Sequence, residues 1–513
     1  MRTIATDAVI GVVGAGTMGG GIAEVAARSG HQVLLMDVST FAAQRALDEI
    51  AGRLDKDVAR KRLTQAEADA ITGRLQAAPA VDDLAGCALV VEAVAEELQV
   101  KRDLMSGLEK VLDDDAVLAT NTSSLSVTAV AGGLRLPGRV VGLHFFNPAP
   151  RMRLVEVVRG DATEAGTVAT VSELMTRWGK QPVPCLSTPG FIVNRVARPF
   201  YGEAQRIVEE RLADAATIDL LLREAGGFPM GPFELTDLVG QDVNLAVSRS
   251  VWDQTFHDQR YAPTVLQQRL VDAGRYGRKS RRGMYRYDVP EGDPEGPRPQ
   301  LQVAARRLPP NRVRYTQGWS IMEPLLERIT AGGVEVADVG DTDAACTDEI
   351  GLLLPSGGRL LETAGEPAGH LGEEVVVLDW ALDAESTTRV AVAASPHCSA
   401  QTLSEAIGVL QAAGVEVTIV GDGPGLVVAR TVAMIINEAV DLVARGEAQG
   451  ADVDTAMTLG TGYPMGPVQW GEAVGPACVV GILAGLHDCM PTGRYRISPA
   501  LRLAADTGAP LGA

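Results

Sequence analysis

A chain of 513 residues, 46% apolar and 22% charged, is too long for one core and has the composition of a folded, multi-domain protein. Its net charge of −19 excludes a general nucleic-acid binder, which needs a basic face toward phosphates. The six cysteines (Cys87, Cys185, Cys346, Cys398, Cys478 and Cys489) include no CxxC pair, so they read as reduced thiols rather than a zinc site or a disulfide framework. The longest uncharged apolar run near the end, GPACVVGILAGL, has 12 residues and is too short to span a bilayer. The first apolar run reads as a strand rather than a signal peptide, and a cytoplasmic protein without membrane or nucleic-acid partners is expected.

From Ala8 to about Val158, short apolar runs alternate with amphipathic stretches, the pattern of a parallel α/β domain. AVIGVVG, HQVLLMD, ALVVEAV, AVLATN and RVVGLHF predict strands, residues 160–179 a helix, and QPVPCL closes the domain near 186. Over 187–287 helical periodicity takes over and predicts an all-α domain. DVPEGDPEGPRPQ (288–300) opens a linker to about 311. A degenerate α/β domain follows over 312–420, with strands EVVVLDWAL, RVAVAAS and VEVTIV and no glycine-rich loop, and then a second all-α domain over 421–513.

The two helical domains are copies. PGFIVNR (189–195) returns as PGLVVAR (424–430), and GFPMGPFELTDLVG (227–240) as GYPMGPVQWGEAVG (462–475), both at an offset of 235, with 17 of the 52 positions from 189 to 240 identical. At this offset Asn194 becomes Ala429, whereas Arg195, Pro229, Gly231 and Pro232 are kept. Aligning RVVGLHF with RVAVAAS replaces His144 by Ala394 and leaves the strand with Glu156 without a counterpart. The second half is expected to pack as an internal pseudo-dimer partner.

VIGVVGAGTMGGGIAEVAARSG puts Gly14, Gly16 and Gly19 between a strand and a helix. Such glycines make a tight turn, let backbone approach a pyrophosphate and allow close helix–strand packing, while the helix start offers free N–H groups. Thr17 and Met18 complete the loop, and Asp37 ends the next strand, 18 residues after Gly19, where a carboxylate can bond a ribose 2′-hydroxyl. Asp37 would repel a 2′-phosphate and no arginine follows it, so NAD is expected rather than NADP. Flavin adenine dinucleotide uses the same fingerprint, so the rest of the site must decide the chemistry.

Four further stretches follow in order: VVEAVAEELQVK (90–101), NTSSLS (121–126), LHFFNP (143–148) and PGFIVNR. With GFPMGPFEL they resemble the (S)-3-hydroxyacyl-CoA dehydrogenase family over residues 8 to about 287, and the repeated helical domain extends the likeness. The resemblance implies oxidation of the 3-hydroxyl of a CoA thioester with hydride passing to NAD. It assigns His144 as general base and Glu156 as its orienting partner, roles that suit an imidazole near neutral pH and a carboxylate that fixes its tautomer. Ser123 and Asn194 match the residues holding the substrate hydroxyl or carbonyl, and Asn147 another residue of the site. Glu92 and Lys101 match positions near the nicotinamide end of the cofactor, and Asn121 is a further expected cofactor contact. Lys56, Arg60, Lys61 and Arg62 form a basic cluster on a helical stretch, and the family's helical hairpin there points to Lys56 or Lys61 as a CoA contact.

The family usually has glycine where Arg281 stands and phenylalanine where Met284 stands, which questions the contact of the tail GRKSRRGMYRY (277–287). Length and the degenerate second half resemble the stand-alone bacterial enzymes of phenylacetate and short-chain acyl-CoA catabolism, so 3-hydroxyadipyl-CoA or 3-hydroxybutyryl-CoA is the expected substrate and a homodimer the expected assembly. Arg151 and Arg153 are candidates to meet a distal carboxylate. The competing readings are a dehydrogenase of free β-hydroxy acids, which would use a catalytic lysine, and a non-catalytic NAD- or CoA-binding subunit.

Overall fold

The computed structural model describes residues 3–290, 292–298, 303–338 and 351–512, so Cys346 and part of the expected linker lie outside the described residues. The chain divides into two compact units, residues 1–195 with 446–461, and residues 196–445 with 462–513. Among the described residues no single helix is long and apolar enough to cross a membrane.

The first unit is built on eight strands, β1 (Val9–Val13), β2 (Val33–Met36), β3 (Leu75–Ala78), β4 (Cys87–Glu92), β5 (Val117–Thr120), β6 (Val140–Phe145), β7 (Leu154–Arg159) and β8 (Gln181–Leu186). Their order is 3-2-1-4-5-6-7-8. The first six are parallel, and the strand order reverses at β1, the point where such sheets bind ligands beyond their carboxyl ends. Helices α1 (Thr17–Arg28), α2 (Thr40–Ala59), α3 (Gln65–Thr72), α4 (Leu98–Val111), α5 (Val127–Ala131) and α6 (Ala165–Arg177) connect them. The strands read as near-continuous apolar runs because both faces are covered, and Ile10, Val12, Ile22, Leu35, Leu89, Val91, Leu143, Val155 and Leu174 join one core.

Two features depart from the sequence reading. β3 escaped it, because LQAA is short and weakly apolar. β7 runs antiparallel to β6. That reversal brings the start of β7 beside the end of β6, at the ligand-binding edge.

A helix from the second copy, Gly450–Thr461, packs on β7 and β8 in this first unit. Its approach is close: a Cβ on Gly460 would lie 2.8 Å from Leu154 and 3.1 Å from Val193.

The second unit carries a seven-stranded mixed sheet in the spatial order Glu335–Asp338, Arg312–Tyr315, Leu352–Leu353, Arg359–Glu362, Val375–Leu378, Arg389–Ala394, Glu416–Ile419. Its central helix, Val428–Ala444, is buried on every face from Val428 to Leu442, and the charged residues buried along it are paired, Arg430 with Glu203 and Glu438 with Arg260. Here the first copy's helix Ala215–Glu224 packs on strand Arg389–Ala394. The repeat shows in matching bonds. Leu186 N donates to Glu447 O at 2.8 Å in the first unit, and Gly421 N to Leu212 O at 2.7 Å in the second, each residue 235 positions from its counterpart.

The second sheet corrects the alignment drawn from sequence. Strand Val375–Leu378 pairs antiparallel with Arg389–Ala394, as β6 pairs with β7. VVVLDW (375–380) is therefore the copy of VVGLHF (140–145), and RVAVAA the copy of LVEVVR. His144 corresponds to Asp379, not Ala394, and Glu156 does have a counterpart, Ala391. An apolar strand matches several others equally well, and the pairing decides between them.

The basic cluster is also revised: α2 ends at Ala59, so Lys56 lies in its last turn while Arg60, Lys61 and Arg62 form the turn before α3, with Lys61 at φ 58°. The acidic stretch after 288 is tied back, with Arg286 N donating to Glu295 O at 2.8 Å and Arg298 Nε to Glu234 at 3.1 Å. The tail keeps its contact. Met284 N and Tyr285 N donate to Asp237 at 2.9 and 3.0 Å, and Tyr285 Oη to Asp219 at 2.7 Å. Arg281 stands at φ 58°, the left-handed region that glycine fits without strain.

Candidate active site

Five of the six parallel strands, β1, β2, β4, β5 and β6, deliver a site residue at the same edge. At the end of β1, Gly14 turns the chain at φ 103°. A Cβ on Gly19 would lie 1.7 Å from the Gly14 carbonyl oxygen, whereas one on Gly16 would meet nothing within 4 Å. α1 starts at Thr17 with Gly16 as its N-cap, with no side-chain cap and no acid in its first turn. Its first N–H groups are thus free for an anion, beside open space, and the loop fits a dinucleotide pyrophosphate. Thr17 is exposed, and Met18 half-buried beside it. Asp37, just past β2, accepts Ala15 N at 2.8 Å and Ser39 N at 3.2 Å, which aims its carboxylate across this loop.

At the end of β4, Glu92 is fully buried and accepts both Lys101 Nζ, at 2.7 and 3.0 Å, and Thr120 Oγ1 at 2.9 Å. Burial pushes its carboxyl above the ordinary range, and Lys101 opposes that. Lys101 reaches on to Glu96 at 3.2 Å. Glu96 is the organiser that sequence reasoning missed. One of its oxygens accepts Thr122 Oγ1 at 2.7 Å, Ser123 N at 2.9 Å, Ser124 N at 3.1 Å and Ser124 Oγ at 2.9 Å, with Ser123 Oγ at 3.3 Å. Burial would raise it, but Lys101 and these donors outweigh that and hold it below the usual range. Asn121, beside this loop, accepts Phe145 N at 2.9 Å and so fastens β5 to the end of β6.

His144 and Glu156 face each other as a cross-strand pair, with Nδ1 2.5 Å from Oε2. Both are buried, and Phe146 and Phe191 wall the imidazole at ring-centre distances of 4.5 and 5.9 Å. The other oxygen of Glu156 accepts Ile192 N at 3.0 Å and Val193 N at 2.9 Å. One carboxylate therefore holds the imidazole and the start of helix Val193–Val196, the helix that carries Asn194. Asn194 Nδ2 donates to Ser123 O at 3.3 Å, so Ser123 and Asn194 come together. With Nδ1 engaged, Nε2 is the nitrogen left to exchange a proton. Asn147 is exposed just beyond β6, on a loop fixed by Lys180, whose Nζ donates to Ala149 O at 2.5 Å and Met152 O at 2.8 Å. Lys56 and Lys61 are exposed on the α2–α3 hairpin and make no contact with this cluster.

A second residue absent from the sequence reading belongs to the other copy. Glu447 accepts Thr188 Oγ1 at 2.6 Å and Arg195 Nη1 at 2.5 Å, and so clamps both ends of the segment that leads into Asn194. No local motif marks it; only the fold brings residue 447 here.

The family models agree with this layout. Residues 9–188 match the 3-hydroxyacyl-CoA dehydrogenase NAD-binding domain, and 190–287 and 425–510 each match its C-terminal domain. The chain belongs to the 3-hydroxyacyl-CoA dehydrogenase family. Residues 353–424 match the reduced Rossmann-fold domain of 3-hydroxybutyryl-CoA dehydrogenase. The 3-hydroxyadipyl-CoA dehydrogenase of Escherichia coli K12 is 43% identical over 96% of this chain and 96% of its own. A probable 3-hydroxybutyryl-CoA dehydrogenase of Deinococcus radiodurans is 40% identical over 54% of this chain and 99% of its own. A solved structure described as 3-hydroxybutyryl-CoA dehydrogenase from Escherichia coli K12 is 41% identical, covers 97% of this chain and 98% of its own, and has a TM-score of 0.84. This 3-hydroxyacyl-CoA dehydrogenase is thus an NAD-dependent oxidoreductase of acyl-CoA thioesters.

Proposed function

We propose that His144 is the general base that takes the 3-hydroxyl proton of the substrate on Nε2. Glu156 fixes the Nδ1–H tautomer and stabilises the imidazolium that forms. The observation carrying this is the 2.5 Å His144–Glu156 bond, in which the same carboxylate also holds the helix bearing Asn194. Ser123 and Asn194 hold the substrate oxygen, and Asn147 lines the same edge. NAD, held by Gly14, Gly16, Thr17, Met18, Gly19 and Asp37 with Glu92, Lys101 and Asn121 toward its nicotinamide end, accepts the hydride when bound. General-base assistance of this kind is worth about 10²–10⁴-fold. Lys56 or Lys61 meets the CoA phosphates.

The acyl chain is that of 3-hydroxyadipyl-CoA or 3-hydroxybutyryl-CoA. The domain limits follow the two α/β and two helical blocks, and the second half acts as an internal partner in place of a second copy, which the reciprocal bonds at the offset of 235 support. Whole chains are proposed to pair as homodimers in addition, and sedimentation of the purified protein reads that directly.

The test is NADH formation with a panel of CoA thioesters and free β-hydroxy acids. Turnover is expected only on the thioesters, and none on any of them overturns the reading. His144→Gln should lower kcat by about 10²–10⁴-fold while NAD binds as before. A large loss of NAD affinity would make His144 a structural residue.

A further inference from the structure

Three connections to the site lie between the two points that Glu447 grips. Its Oε2 accepts Thr188 Oγ1 at 2.6 Å and Arg195 Nη1 at 2.5 Å. Between them, Phe191 stands 5.9 Å from the His144 imidazole, Ile192 and Val193 give their N–H groups to Glu156, and Asn194 Nδ2 donates to Ser123 O. The segment needs holding. Phe191 lies at φ 49°, a left-handed angle that a bulky residue keeps only when its surroundings fix it. Arg195 and Glu447 are both buried, so water does little to screen their charge pair.

The repeat shows which part of this hold is architecture. The backbone bond is present in both units: Leu186 N donates to Glu447 O, and Gly421 N to Leu212 O. The left-handed turn also returns, with Leu426 at φ 52° in the place of Phe191. The side-chain grip does not. At the offset of 235, Thr188 corresponds to Gly423 and Glu447 to Leu212. A Cβ on Gly423 would lie 2.3 Å from Leu212 Cδ1, so the second unit fills this spot with apolar contact. Arg430, the counterpart of Arg195, bonds Glu203 at 2.9 Å and Glu210 at 2.6 and 2.9 Å. Apolar packing is thus enough to fold this junction. The carboxylate and its hydroxyl partner stand at the junction whose segment carries Asn194 and meets His144, and not at the one whose segment carries Ala429 and meets Asp379.

We propose that Glu447 is a positioning residue for the reaction. The second copy contributes this carboxylate to the first, and it sets residues 188–195 so that Asn194 meets the substrate oxygen and Phe191 bounds the imidazole. This rests on the roles of His144 and Asn194 given above. The position is an acid in one copy and apolar in the other because only one of the two segments has reacting groups to align. Misplacing such a group by about 1 Å can cost about 10²-fold in rate.

The test compares wild type, Glu447→Gln, Glu447→Leu combined with Thr188→Gly, and Leu212→Ala. Steady-state NADH formation with a CoA thioester gives kcat, calorimetric titration the NAD affinity, and circular dichroism the folded fraction. Glu447→Gln should lower kcat about tenfold, and the double variant, which copies the apolar filling of the second unit, about 10²-fold. NAD Kd should stay within about threefold of wild type in both. Leu212→Ala empties the mirrored place, so it should lose stability yet keep kcat within about threefold. Substrate deuterated on carbon 3 should show a larger isotope effect on kcat in both Glu447 variants, because hydride transfer is the step that slows; lost stability alone would leave it unchanged. A folded Glu447→Gln with kcat within about threefold of wild type overturns the proposal, whether or not the double variant folds. An equal fall of kcat in Leu212→Ala overturns it too, and so does a Glu447→Gln chain that fails to fold, which would make the residue structural. No wild-type turnover on any thioester removes the dehydrogenase reading instead.

Discussion

Glu156→Gln separates the two duties of one carboxylate. Oε1 accepts both backbone N–H groups, Ile192 at 3.0 Å and Val193 at 2.9 Å, and Oε2 accepts the imidazole at 2.5 Å. A glutamine keeps the backbone pair only by placing its amide oxygen there, which turns its NH₂ toward Nδ1. The opposite orientation aims a donor at two donors and loses both bonds. In the favoured orientation Nδ1 must become an acceptor, so the ring proton moves to Nε2, the atom proposed to take the substrate proton. A wrong tautomer of this kind costs up to about 10⁴-fold in kcat in a serine protease, and a loss of about 10²–10⁴-fold is expected here. Exchanging a charged for a neutral acceptor at a fully buried site should cost about 1.5–3 kcal/mol of stability. The assay is steady-state NADH formation with a CoA thioester, beside NAD titration and urea unfolding. A folded variant that binds NAD and keeps kcat within about threefold of wild type would refute the reasoning.

Gly19→Ala places a methyl 1.7 Å from the Gly14 carbonyl oxygen, so the loop must open; calorimetric titration should show NAD affinity down at least about tenfold. Glu447→Gln weakens its bond to the buried Arg195 and its hold on the segment leading to Asn194. About 2 kcal/mol of stability should be lost in urea unfolding, with kcat falling although residue 447 belongs to the other copy. Lys180 is 8% exposed, and burial brings its amine from 10.5 to about 8. Between those values the unfolded chain binds more protons, so this lysine's contribution to stability rises with pH, by roughly 3 kcal/mol at most. The difference between wild-type and Lys180→Met unfolding free energies should climb over that window; a flat difference would show that the amine does not titrate there.

The parallel strands were legible because strands covered on both faces must be apolar throughout, and the glycine loop because only glycine fits where Gly14 and Gly19 meet. The direction of β7 was not, since LVEVV reads the same in either sense and only its partner strand fixes it. His144 and Glu156 stood out as polar residues in apolar runs. Glu96 did not, because an acid among acids at a helix start looks like an ordinary solvated residue. Glu447 was out of reach because its contacts with Thr188 and Arg195 exist only once the second copy has folded back. The expected match of His144 to Ala394 failed for the same reason: similar apolar strands align in several registers until a sheet selects one.

The corrected match says what each half of the His–Glu pair is for. Asp379, the counterpart of His144, accepts Val427 N at 3.0 Å, Val428 N at 2.8 Å and Ala429 N at 3.0 Å. Val427 and Val428 are the counterparts of Ile192 and Val193, the two groups held by Glu156. Both copies thus need an anion where a strand end meets the start of this helix, because the first N–H groups of a buried helix require acceptors. The second copy meets the need from the β6-like strand with a short aspartate, which burial raises to about 6 against four backbone N–H groups. The first copy draws the carboxylate from the neighbouring strand, one residue across, and that displacement frees the β6 position for an imidazole. Helix capping alone is satisfied by either arrangement. Only the proton transfer proposed for His144 calls for the second, so on that reading the carboxylate serves the fold and the histidine serves the reaction.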